Sequence, residues 1–389
     1  MSAATSEAPE TFAQAAAALR AAGADGRRVR IVGGATKSRW GRSQAPYDVE
    51  LHTGGLDSIL AHNAGDMTAT LQAGVPLAAA QEAFARAGQT LSLDPPVADA
   101  GEDGIGDARG ATIGGIVATA DSGPLAHRYG GPRDLIVGAT VALADGTVAK
   151  SGGTVIKNVA GYDIAKLMAG SFGTLGLLLS VNVRLHPRPD RTATVVGFTD
   201  DPRTLQTAAH AMATAPAELE ALDVSWRDGR GRLLAQVGGP RSEQRCVRLA
   251  DALRVAGLSD VELLTDGDSE LWDAQRAAQR SSTRATVKVA ARASELASLV
   301  AAVDGCGGSL VGRAALGHSW VTLEPASIAR LRSELPAGAT AIVQDLPGET
   351  RFEDPWGPVQ PALLDLTRRL KRRFDPTETC NPGIFVGGI

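Results

Sequence analysis

The chain has 389 residues, 44% hydrophobic and 21% charged, the profile of a globular protein with room for two domains and a core in each. A net charge of −4 and an aromatic share of 4% exclude a global electrostatic case for nucleic acid or an anionic membrane, and leave few platforms for stacking bases. Met1 to Glu10 is acidic without a basic or apolar run, and no window approaches the ~18 apolar residues of a membrane span, so the expected place is the cytoplasm, with any contact to the inner membrane face made through partners.

In chain order, the alanine-rich stretch from Thr11 to Ala22 reads as a helix and Arg28 to Val32 as a short strand that ends on Gly33-Gly34. Pro76 to Ala87 is a second helix, with Leu77, Ala80, Phe84 and Ala87 on one face. Leu135 to Leu143 is a strand, and Asp145-Gly146 turns it back into Thr147 to Lys150. From Leu177 to Leu185 the odd positions are apolar, while Ser180, Asn182 and Arg184 are polar, a strand with one buried face. Pro187 and Pro189 end it and mark a boundary, giving domains over 1–190 and 191–389. Beyond them strands alternate with longer helices at Thr204–Thr214, Ser242–Ala256, Ser294–Val303 and Ser327–Leu335. The last helix, Val359 to Phe374, places Val359, Leu363, Leu366, Leu370 and Phe374 on one stripe, and its basic end from Arg368 to Arg373 reads as a solvated helix terminus.

Glycine is concentrated between Gly101 and Gly176, and Ala111 to Gly138 is glycine-rich and apolar without an amphipathic helix. A backbone of this kind suits close approach to a large flat ligand. Gly33-Gly34-Ala35-Thr36-Lys37-Ser38 is neither a Walker loop nor the opening of a dinucleotide-binding helix. Its successive N–H groups suit an anion nest for a diphosphate, with an ordinary β-turn as the plainer reading. Thr112 with Gly114-Gly115 offers backbone donors and a hydroxyl to a phosphate or ribityl chain, or forms a packed turn between strands. The segment from Lys157 to Asp163 leads to Gly170, Gly173 and Gly176, a short helix closed by glycine and a turn spaced by threes. The six histidines show no metal-ligand spacing, and His127 stands out only for lying in the glycine-rich core. Cys246, Cys306 and Cys380 are far apart, so this chain has no metal–sulfur cluster of its own and no metal site is expected.

In this order, the nest, the Thr112-Gly114-Gly115 core, the step from Tyr129-Gly130 to Asp134 and the Gly170–Gly176 turn resemble the vanillyl-alcohol oxidase / p-cresol methylhydroxylase superfamily of FAD enzymes. The run from Gly152 to Pro189 and the ending with Phe374-Asp375-Pro376 and Asn381-Pro382-Gly383 are similar to the FAD-binding subunits of bacterial glycolate oxidases. The resemblance implies an α+β fold, a two-subdomain FAD-binding domain of the p-cresol methylhydroxylase type followed by a C-terminal α+β cap over the flavin ring. It implies non-covalent FAD, with Gly33, Gly34, Ala35 and Thr36 on the diphosphate and Thr112, Gly114, Gly115, Ser122 and Gly123 along the cofactor. Gly170, Gly173 and Gly176 fall near its adenine or ribityl side.

Related FAD-linked 2-hydroxyacid dehydrogenases carry a metal-holding histidine pair and a Glu-His-Gly segment in the cap, and this chain has neither. The resemblance therefore implies a flavin-binding subunit acting beside a paralogous FAD-linked catalytic subunit and an iron–sulfur subunit, with glycolate or another small 2-hydroxy acid as substrate. Arg133, Arg313 and His318 are the candidates for an acid–base or carboxylate-binding role. Two alternatives remain open: a free-standing FAD oxidase of another alcohol or hydroxy acid, and a non-catalytic assembly subunit with a vestigial flavin site.

Overall fold

The computed structural model describes residues 4–42, 46–96, 110–154, 163–265, 267–348 and 352–389. The first part begins with β1 (Thr5–Glu7), α1 (Phe12–Ala24), β2 (Val29–Val32) and β3 (Val49–His52). Next come β4 (Ile59–Asn63), β5 (Thr68–Gln72), α2 (Leu77–Ala85), β6 (Gln89–Thr90) and α3 (Ile113–Thr119). The short helices α4 (Ala126–Tyr129) and α5 (Pro132–Leu135) lead into β7 (Ile136–Ala142) and β8 (Val148–Gly152), then α6 (Ile164–Met168), β9 (Leu177–Arg184) and β10 (His186–Pro187). Most of the Lys157–Asp163 motif lies outside the described residues.

Two sheets hold this part. A small parallel sheet has the order β1-β3-β2, and an antiparallel one runs β4-β5-β9-β7-β8. Thr11 starts α1 with a capping box: its side chain accepts from Gln14 N, and Gln14 Oε1 accepts from Thr11 N. Ala15, Ala16, Leu19 and Ala22 then bury one helical face. The Asp145-Gly146 hairpin forms, with Thr147 N donating to Asp145 Oδ1 over 2.8 Å.

Two expectations change. β9 is not half exposed: Ser180 is 2% exposed, because β9 is the central strand and is covered on both faces. Its Leu177 and Leu179 pack with α1, whereas Leu178 and Val181 belong to the neighbouring core. The glycine-rich core also contains a helix. α3 is capped by Thr112 and buries Ile113, Gly114, Ile116 and Val117. It is buried nearly all round, so it lacks the polar–apolar alternation by which a surface helix is read.

The second part supplies β11 (Thr192–Thr199), α7 (Pro202–Thr214), β12 (Ala221–Arg227), β13 (Arg230–Gly238), α8 (Ser242–Val255) and β14 (Ser259–Leu264). It continues with α9 (Asp268–Ala277), β15 (Ala285–Ala290), α10 (Leu296–Gly305), β16 (Ser309–Arg313) and β17 (His318–Leu323). α11 (Ile328–Glu334), β18 (Thr340–Asp345) and α12 (Pro361–Phe374) complete it. Its eight strands form one antiparallel sheet, ordered β14-β11-β13-β12-β16-β17-β15-β18. Helices α7, α8, α10 and α11 cover one face and make the largest core. On the other face, α9 sets Trp272 against Ala221 and Leu234. The rest of that face, from β16 to β18, looks toward the first part: Trp40 Nε1 donates to Asp345 over 3.0 Å and Arg313 Nη2 to the Ser122 carbonyl over 3.4 Å.

After α12 the chain returns to the first part. Val29 N donates to the Thr379 carbonyl and Asn381 N to the Val29 carbonyl, beside a parallel bridge between Val29 and Cys380. The stripe expected on the last helix is only partly used. Leu363 and Leu366 are 56% and 45% exposed, and Val359 precedes the helix. What anchors α12 is Lys371, the one residue of its basic end that is buried.

Candidate functional site

A cleft enclosing about 890 Å³ opens between the turn after β2, α3, the turn before β9 and the returning tail. Gly33, Gly34, Ala35 and Thr36 line it, as do Thr112, Gly114, Gly115, Gly173 and Gly176. Ser122, Gly123 and Gly170 do not. A Cβ on Gly123 would run into the Asp94 carbonyl, so this glycine permits backbone packing away from the cleft. Gly170 (φ 77°) follows α6 and donates to the Val117 carbonyl, which ties the turn to α3.

The turn after β2 has the nest geometry. Ala35 takes a left-handed φ of 54°, and among the described residues no acceptor meets the N–H of Gly33, Gly34, Ala35, Thr36 or Lys37. Successive N–H groups around a left-handed residue form a concavity for an anionic oxygen. A side chain at Gly34 would strike the Gly110 carbonyl, so the close approach of two backbones requires glycine there.

The Thr112–Gly115 segment does something other than donate amides. Ile113 N and Gly114 N already donate to the carbonyls of Val75 and Ala73, and Gly115 N is within 3.4 Å of its cap Thr112 Oγ1. These residues therefore form a wall rather than a set of free donors. Opposite them, Asn381 clamps two walls together. Its Oδ1 accepts from Ile31 N and its Nδ2 donates to the Phe172 carbonyl, both over 2.7 Å. Gly173, at φ 69°, leaves room for that amide, which would stand 2.7 Å from a Cβ.

Beside the cleft lies a buried ionic cluster that the sequence reading did not assemble. Lys37 pairs with Asp121 over 3.2 Å, and Asp121 also accepts from Arg280 over 2.8 Å. Arg280 bridges on to Asp345 over 3.2 Å and lies 4.1 Å from the Trp40 ring centroid. Burial pushes the Asp121 carboxyl up, but Arg280 and Lys37 outweigh it and hold it below its ordinary value. Burial lowers the Lys37 ammonium, with Asp121 opposing. Lys37 and Asp121 stood inside the two motifs singled out by sequence; Arg280 and Asp345 carried no local signal, because only the packing of the cap brings them there.

The three candidate reactive residues separate. Arg313 and His318 are register partners on β16 and β17. Arg313 is 1% exposed and bound to Asp223 over 2.8 Å. His318 is half-buried, and its imidazolium is disfavoured by burial, then by Lys288 and Arg313. Arg133 is exposed on α5, outside the cleft lining. His127 is half-buried on α4, with Nδ1 unpartnered among the described residues. Among the described residues no group of three His, Cys, Asp or Glu is placed to hold a metal ion, and the three cysteines are unpaired and buried.

Residues 6–152 match the family model described as an FAD binding domain. The Escherichia coli (strain K12) glycolate oxidase subunit GlcE is 37% identical over 142 residues, 36% of this chain and 37% of that protein. The Bacillus subtilis (strain 168) glycolate oxidase subunit GlcD is 32% identical over 171 residues, 43% of this chain and 34% of that protein. The mitochondrial D-lactate dehydrogenase [cytochrome] of Arabidopsis thaliana is 38% identical over 119 residues, 31% of this chain and 21% of that protein. The matches thus span well under half the length of these relatives. In overall fold, alkyldihydroxyacetonephosphate synthase superposes with a TM-score of 0.68 at 14% identity, covering 96% of this chain and 76% of that one. The bare amides of the nest, the wall of small residues beside them and the cleft they share fit this cofactor, so FAD is the ligand of the cleft. Residues 6–152 are an FAD binding domain, and through it the chain belongs with the FAD-dependent oxidoreductases that include the glycolate oxidase subunits.

Proposed function

We propose that this chain is the FAD-binding subunit of a glycolate oxidase or dehydrogenase complex, acting on glycolate or a similarly small 2-hydroxy acid beside a paralogous FAD-linked subunit and an iron–sulfur subunit. The observation that carries the reading is the run of unpaired amides from Gly33 to Lys37 at the wall of the cleft. Similarity to two glycolate oxidase subunits and to a D-lactate dehydrogenase supports the substrate class.

FAD, when bound, supplies the two-electron acceptor for the carbon that carries the substrate hydroxyl. The chain's own work is to bind and orient. Gly33, Gly34, Ala35 and Thr36 would hold the diphosphate, and Thr112, Gly114, Gly115, Gly173 and Gly176 would pack along the rest of the cofactor. Asn381 fixes the spacing of the β2 turn and the Phe172–Gly173 turn, so the walls stand ready before the ligand arrives. The cap sheet closes one side, and Trp40, 2% exposed, helps exclude water from the joint.

The test is a visible spectrum of the purified chain and of its assembled complex, followed by anaerobic mixing with glycolate. Bound oxidised flavin that glycolate bleaches in the complex is the expected result. A Gly34→Val variant should fold yet be colourless, since the new side chain enters the Gly110 carbonyl. Rapid bleaching of the isolated chain would favour a free-standing oxidase. A colourless protein that still assembles with its partners would leave only a scaffold role.

A further inference from the structure

The cap-sheet face turned toward the cleft holds more polar atoms than it satisfies. Lys288 on β15 and Trp320 on β17 are register partners on this face, with Lys288 Nζ 5.4 Å from the Trp320 ring centroid. Trp320 is 1% exposed, and its Nε1 donor has no partner among the described residues. Thr286, two residues from Lys288 on the same side of β15, is fully buried with its hydroxyl also unpartnered. Lys288 itself is partly buried and has no acceptor within hydrogen-bond or ion-pair distance among the described residues. Buried polar groups are normally paired, so three neighbours without partners on one face mark a missing ligand.

The charges point the same way. Lys37, Arg280 and Lys288 face two carboxylates, Asp121 and Asp345, while Arg313 is matched by Asp223. Asp121 attracts Lys288, whereas Arg313 and Arg280 repel it. The cluster therefore has one uncompensated cation, Lys288, and a half-buried ammonium without a partner is costly until an anion reaches it.

We propose that Lys288 and Trp320 Nε1 form the binding site for the carboxylate of a small 2-hydroxy acid, with the Thr286 hydroxyl as a further donor. The inference rests on the reading of the cleft as a flavin site for such acids. It assigns the oxyanion to a lysine and an indole of the cap, with no metal ion in the role. The same oxyanion chemistry could come from the flavin, and the experiment separates the two.

Cyanate carbamoylation of the full-length chain, followed by peptide mass spectrometry, reads the accessibility of Lys288 with FAD alone and with FAD plus oxalate, a two-carbon carboxylate that cannot be oxidised the same way. Oxalate should slow modification of Lys288 and leave the exposed Lys150 unchanged. By calorimetry, Lys288→Met should weaken oxalate binding at least about tenfold, the loss of one charge-assisted hydrogen bond. Flavin content should be unchanged, and Lys288→Arg should retain most of the affinity. The proposal fails if oxalate adds nothing to protection by FAD alone, which would give the cation to the flavin. It also fails if Lys288→Met binds oxalate like the parent. Protection by oxalate in a chain that takes up no FAD would uphold this site and overturn the flavin reading.

Discussion

Asp94 shows how much a single buried residue can decide here. Both of its carboxyl oxygens accept from Leu125 N, and Arg276 approaches to 3.4 Å, yet burial pushes its pKa up to about 7. Below its ordinary value of 3.8 the group is protonated in folded and unfolded chains alike. As pH rises from about 4 to 7 the unfolded chain releases the proton while the folded one retains it, so stability falls through this window and levels off above it. Urea denaturation at pH 5 and pH 8 should show that decline, with an upper bound of about 1.4 kcal/mol for each unit between the two pKa values. Asp94→Asn should flatten the profile and gain most at pH 8; an unchanged slope would show that Arg276 keeps Asp94 ionised. From sequence, the Asp94-Pro95-Pro96 run looked like a stiff linker. Neither Leu125 nor Arg276 is near it in the chain, so its burial had no local signature.

At the scale of elements, the end of α12 illustrates a pattern that is right for most of its residues and wrong for one. Arg368, Arg369, Arg372 and Arg373 are exposed, as a solvated helix terminus requires. Lys371 instead turns inward and donates to the Thr174 carbonyl over 2.8 Å, the Cys380 carbonyl over 2.9 Å and Asp375 Oδ2 over 2.6 Å. Asp375 in turn accepts from Thr379 N and Cys380 N. Helix, tail and the turn before β9 thus meet on one ion pair. Removing one partner of a buried pair typically costs about 3–5 kcal/mol, because the other charge is stranded. Lys371→Met should lower the urea midpoint by an amount in that range and speed proteolysis after Asp375, while Arg372→Met should change neither. The basic run alone could not single out Lys371: helical spacing identifies a face, but which face is covered depends on what returns to meet it.

Across the whole molecule, the two parts are joined by charge at the joint that borders the cleft. Trp40 and Arg280 both reach Asp345, Arg280 also holds Asp121, and Arg39 donates to the carbonyls of Leu346 and Gly348. Arg280→Met leaves Asp121 with Lys37 alone and Asp345 with the Trp40 indole. The variant should unfold in two urea transitions rather than one, the cap separating first, and release flavin at lower urea than the parent. A single transition at the parent midpoint would mean that the joint adds nothing measurable. The charges are screened little by salt because Lys37 and Asp121 are 6% and 1% exposed.

Much of the cofactor cleft was legible because backbone requirements are local. A glycine pair after a strand, a Thr-x-Gly-Gly core and glycines before a buried strand announce close approach wherever they occur, since only glycine satisfies it. The hairpin at Asp145-Gly146 and most helices followed from turn chemistry and period for the same reason. Helix α3 escaped, as did the burial of both faces of β9, because burial on every side erases the alternation on which such readings depend. Ser122 and Gly123 were assigned to the cleft by proximity in sequence; their backbone packs instead against Asp94 and Arg313. The ionic joint and the Lys288–Trp320 pair belong to the tertiary structure alone. Each links residues separated by at least 30 positions, and charges so far apart in the chain meet only when whole sheets have chosen which face to turn inward.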